Sequence, residues 1–83
     1  MQHYKHGLSI TDYQSTQHNT TFVIFSVYDN VLGKSFEGEV KFLGGRPFGD
    51  IIHEDRSPLS SECRQFVEEA LLEKYNNMEF NNI

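Results

Sequence analysis

Residues 20–29 read TTFVIFSVYD, a run of β-branched and aromatic side chains that suits a strand far better than a surface helix. Successive side chains of a strand point to opposite faces, so Phe22, Ile24 and Tyr28 share one side and Val23, Phe25 and Val27 the other. Both sides are apolar. No other feature of the chain constrains the fold as strongly, because such a strand needs cover on both faces or leaves one face for association. Residues 34–43, KSFEGEVKFL, alternate cleanly: Phe36, Val40 and Phe42 share a face with Gly38, while Ser35, Glu37, Glu39 and Lys41 share the other. Between the two runs lies NVLGK, whose Asn30 and Gly33 suit a chain reversal, so the pair reads as an antiparallel hairpin.

The flanking segments complete the pattern. GLSITDYQ (7–14) places Leu8 and Ile10 two apart, a modest strand signal, and STQHNT (15–20) is a polar turn. Downstream, Ser57 can cap a helix with Pro58 at its first position, where the missing N–H costs nothing. Leu59, Cys63, Phe66, Val67, Ala70, Leu71 and Met78 then recur at helical spacing, and Asn76 and Asn77 supply stop signals. Strands followed by one helix predict a small α+β domain: an antiparallel sheet of three to four strands packed on one C-terminal helix. The expected domain spans residues 1–83, with 1–6 and 79–83 as fraying ends. A fourth strand over FGDIIH (48–53) is left open, since adjacent Ile51 and Ile52 would there point to opposite faces.

One helix covers one face of a sheet. The second face of the 20–29 strand is left for the N-terminal segment, a second copy or a partner. A bare face carrying Val23, Phe25 and Val27 would be a self-association patch and would make a homodimer.

Charge narrows the function. The net charge is −5, with seven Lys and Arg against twelve Asp and Glu. Affinity for a phosphate backbone comes from clustered cations that displace counterions, so nucleic acid is disfavoured and a basic protein partner is the natural complement. The single cysteine, Cys63, excludes an intramolecular disulfide and points to a reducing, cytoplasmic setting. No apolar run has the length of a membrane span, and MQHYKHGLSI has no secretory apolar core. In size, acidity and disulfide-free build the chain resembles small phage- or mobile-element-encoded inhibitors. A hairpin followed by a C-terminal helix is also superficially similar to double-stranded-RNA-binding domains. Those domains open their last helix with a basic cluster, and here that place reads SPLSSECRQ.

The densest chemistry lies in FLGGRPFGDIIHEDRSP, residues 42–58. Phosphate-cradling loops place glycines directly before a helix, but Gly44, Gly45 and Gly49 are separated from it by Asp50, Glu54 and Asp55, which would repel phosphate. Gly44-Gly45 therefore reads as a tight turn with positive φ. His3, His6 and His53 with Glu54 and Asp55 offer imidazole and carboxylate ligands, yet without a Cys cluster or an HExxH pattern they read as surface histidines. No metal or other cofactor is expected. A hydrolase-type site would pair His53 with Asp50, Glu54 and Asp55, or set it beside Ser60, Ser61 or Cys63. One base candidate does not make a nucleophilic site, and the carboxylates that crowd this loop, although a pair could do acid–base work, are normally solvated, so an enzyme is not expected.

Glu62, Glu69 and Glu73 fall seven and four residues apart, an acidic stripe along the helix. Leu72 is expected to be exposed beside it, and Asp50, Glu54 and Asp55 to extend it. The expected function is a non-enzymatic binding protein that modulates or inhibits a basic protein partner through these seven residues. A nucleic-acid-binding module and a small homodimer of structural role are the alternatives.

Overall fold

In the computed structural model, which describes residues 6–16 and 18–80, the chain runs β1 (Gly7–Ser15), β2 (Thr20–Asp29), β3 (Lys34–Leu43), β4 (Arg46–Phe48), one 3₁₀ turn (Asp50–Ile52) and α1 (Ser61–Asn76). The strands form one antiparallel sheet in the order β1-β2-β3-β4, and α1 lies across it. This is the α+β architecture expected from the sequence.

The hairpin register decides which face is buried. Val23 lies opposite Val40, Val27 opposite Phe36 and Phe25 opposite Gly38, so the apolar side of β3 falls beside the odd-numbered side of β2. On that side Val23, Phe25, Val27, Val40 and Phe42 are buried, and Leu59, Cys63, Val67 and Leu71 of the helical segment pack onto them at four-residue intervals. The expected self-association patch is therefore corrected: Val23, Phe25 and Val27 are core residues, exposed by no more than 2 %. Phe22, Ile24 and Tyr28, on the other face, are 37, 40 and 41 % exposed.

β1 contributes Leu8, Ile10 and Tyr13 to the margin of the same core. Their spacing breaks strict alternation because the register shifts at Thr11: Ile10 pairs with Phe25, and Asp12 with Ile24. This bulge turns Asp12 out to solvent and Tyr13 in.

Between β3 and β4 the chain reverses over Gly44 and Gly45, with φ of 59° and 85°, as expected for a glycine turn. It leads into a short strand rather than straight into a helix. The next residues wind as a 3₁₀ turn, which buries Ile51 and Ile52 together as a strand would not. Ile51 sits over Gly38, where an added Cβ would lie 2.9 Å from Ile51 Cγ1 and 3.0 Å from Phe25 Cζ.

The helix begins later than expected. Its N-cap is Ser60, whose Oγ accepts from Cys63 N at 3.2 Å. Ser57 instead ties the loop, donating to the Ile51 carbonyl and accepting from Leu59 N. At the other end Met78, with φ 64°, is 68 % exposed and lies off the buried stripe. Phe80 docks beyond it, buried between Tyr13 and Phe42, while Tyr75 stacks on Phe42 with ring centroids 4.5 Å apart. His6 is likewise held in place, with its side chain 7 % exposed, so residues 6 and 80 are not fraying ends. Residues 1–5 and 81–83 lie outside the described residues, His3 among them. No helix among the described residues is long and apolar enough to cross a membrane.

Candidate functional site

At 100° per residue, Glu62, Glu69 and Glu73 fall within about 40° of one another around α1, and all three are exposed. They form a line of carboxylates on the shoulder of the helix that faces β1, where Glu73 borders a shallow groove with Leu8, Phe66 and Lys74. Glu62 Oε2 accepts from His6 Nε2 at 3.1 Å, and its side chain remains 73 % exposed. Leu72 departs from expectation. It is half-buried and packs against the core cluster, as does Tyr75 three residues on.

Asp50, Glu54 and Asp55 are exposed in and after the 3₁₀ turn. Asp50 is matched locally by Arg56, with Nη1 to Oδ1 at 3.5 Å. His53 Nδ1 accepts from Asp55 N at 3.0 Å, so the ring closes its own loop rather than engaging a carboxylate. Among the described residues the His53 ring makes no hydrogen bond to Ser60, Ser61 or Cys63 and no ion pair with Asp50, Glu54 or Asp55.

A different group of titratable residues does come together: His6, Asp29 and Cys63 offer ligand atoms that all lie within 4.8 Å of one another. Asp29 is fully buried at the end of β2. Its Oδ2 accepts from Ser60 N at 2.6 Å; Oδ1 accepts from Ser60 Oγ at 2.9 Å and from the N–H groups of Val31 and Leu32 at 3.0 and 3.2 Å. Burial alone would raise the carboxyl pKa, but the hydrogen bonds from Ser60, Leu32 and Val31 outweigh it and hold the group below the usual carboxylate value. One aspartate thereby closes the β2–β3 turn and fixes the start of α1.

His6 completes this network. Its Nδ1 accepts from Asn30 N at 2.9 Å and its Nε2 donates to Glu62, which requires the proton on Nε2. The 4.0 Å approach of Nδ1 to Asp29 is therefore a contact and not an ion pair. Cys63 is fully buried, and desolvation, with Asp29 and Glu62 adding repulsion, pushes its thiol up to about 11. Metal binding would need that thiolate together with the lone pair that His6 Nδ1 commits to Asn30, so the donor set does not fit an ion. A buried neutral thiol is equally unsuited to nucleophilic attack. What the cluster does is lock the N-terminus of α1 to the sheet.

The sequence reading missed Asp29, although a signal was present. Asp29 continues the Val23–Phe25–Val27 parity, so an aspartate follows directly on the buried side of the strand, where a carboxylate needs several donors. Among the grooves on the described surface, one formed by Ser15, Thr16, Asn19, Thr20, Thr21, Tyr75, Met78 and Phe80 holds no carboxylate, histidine, lysine or thiol. No protein-family model, no curated protein and no solved structure matches the chain.

Proposed function

We propose that this chain is a non-enzymatic binding module that engages a basic protein partner through the carboxylate line of α1 and modulates or inhibits that partner by covering its basic surface. The observation that carries this reading is the geometry of Glu62, Glu69 and Glu73, three exposed carboxylates on one line of a helix. Asp29 and Ser60 lock that helix at its first turn, and Cys63, Val67 and Leu71 seat it along its length. Glu69 and Glu73 stand about 6 Å apart along the helix and Glu62 about 10 Å further on, a fixed array that a row of Lys or Arg can meet. The array repels phosphate, and Glu62 stands where a double-stranded-RNA-binding domain would carry its basic cluster; both points favour a protein over a nucleic acid. A buried free thiol and the absence of any second cysteine suit action in the cytoplasm.

The test is capture from nuclease-treated host-like lysate with the wild-type chain and with Glu62→Lys/Glu69→Lys/Glu73→Lys, at low and high salt. A stoichiometric basic protein held by the wild type, released by salt and lost with the triple variant is the expected result. Capture of the same protein by both chains, with no salt dependence, would contradict the acidic-line reading.

A further inference from the structure

Among the described residues no element packs on the sheet face opposite α1, and that face has a charge order of its own. Reading the register across the strands, Leu43 stands beside Arg46, Lys41 stands between Phe22 and Phe48, Glu39 beside Ile24, and Glu37 beside Ser26. Phe22, Ile24, Leu43 and Phe48 are 37, 40, 41 and 51 % exposed, and Glu37, Glu39, Lys41 and Arg46 are exposed as well. None of the ion pairs among the described residues engages those four charges. The face is therefore an apolar patch with cations at one end of β3 and anions toward the other. Such a surface is complementary to itself when one copy is reversed along the strand direction.

We propose that this open face takes a second copy of the chain, packed face to face about a twofold axis that crosses the strands between the Lys41 and Glu39 rows. This operation sets Lys41 over the second copy's Glu39, and by symmetry the converse, since an isologous interface repeats every contact twice. It also sets Phe22 over the second copy's Ile24, and Leu43 with Arg46 toward the second copy's Glu37. Sheets pack about 10 Å apart with strands aligned within about 30°, a gap that these side chains fill from both sides. Moving the axis onto the Glu39 row would oppose two glutamates, so the charge pattern selects one register. The two α1 helices lie on the outer surfaces of the dimer. The inference is independent of what those helices bind.

The test is sedimentation velocity from low to high micromolar concentration, with circular dichroism confirming that each variant is folded. The wild-type chain is expected to form a dimer. Lys41→Glu alone and Glu39→Lys alone should each weaken it on the order of tenfold or more, because each places like charges opposite one another at two symmetric positions. Mixing the two single variants should restore dimers, as heterodimers in which every pair is again opposite in sign, and the double variant Glu39→Lys/Lys41→Glu should dimerise with itself. A wild type that stays monomeric throughout would overturn the proposal and leave this face for a different partner. A dimer that ignores both reversals, or that the mixture fails to rescue, would overturn it equally.

Discussion

Asp29 does more for this fold than its single position in a strand suggests. Its carboxylate receives Ser60, Val31 and Leu32 while fully buried, so it joins a turn, a strand end and a helix start. Replacing it with Ala would strand three backbone N–H groups and remove the anchor of the helix cap, a loss of about 3 kcal/mol or more in urea unfolding at neutral pH. The pH dependence has a definite sign. Because folding lowers the Asp29 pKa, the unfolded chain takes up the proton first as pH falls. The stabilisation from Asp29 is thus fully present above about pH 4 and is lost as pH drops through the lower folded value. The stability gap between the wild type and Asp29→Asn is expected to be flat from pH 7 to pH 5 and to close below pH 4. A gap that stays constant down to pH 2 would show that the carboxylate charge is not what holds the cap.

At the scale of elements, the hairpin of β2 and β3 organises everything else, and most of it was legible. The dense β2 run, the clean alternation of β3 and the Gly44-Gly45 turn were each set by local side-chain and backbone preferences. The buried face was legible too, but only through register. A four-residue turn over Asn30–Gly33 pairs Asp29 with Lys34, and that pairing carries Val23 beside Val40. Counting hydrophobics on each face of β2 alone cannot separate them, since both faces are apolar. The bulge at Thr11 and the 3₁₀ turn at Asp50–Ile52 were not legible in the same way, because tertiary packing of Tyr13 and of two adjacent isoleucines decides them. The cap likewise moved from Ser57 to Ser60 because a partner distant in sequence, Asp29, receives Ser60. Gly38 shows how tightly these elements meet, for Ile51 and the Phe25 ring leave no room for a side chain. Gly38→Val should cost about 1–3 kcal/mol despite its favourable strand propensity, measured by thermal or urea unfolding. A stabilised variant would mean that the 3₁₀ turn does not close over β3.

For the whole molecule, the central feature is its two-sidedness. One sheet face is sealed under α1, and the other carries Phe22, Ile24 and Tyr28 into solvent. The candidate site divides along the same line, with the acidic array on the β1-facing shoulder of the helix and the self-complementary charges on the open sheet. The acidic stripe could be read from the sequence by helical spacing alone. The open face could not, because it follows from register and from the placement of the helix. Both proposed surfaces depend on this division, so its test comes first. The measurement is urea unfolding of Phe25→Ala and Phe22→Ala, at a concentration where sedimentation finds the chain monomeric. Phe25→Ala should lose about 3–5 kcal/mol through an unfilled core cavity, and Phe22→Ala less than about 1 kcal/mol. Equal losses, or a larger loss at Phe22, would contradict the account and place the helix on the opposite face of the sheet.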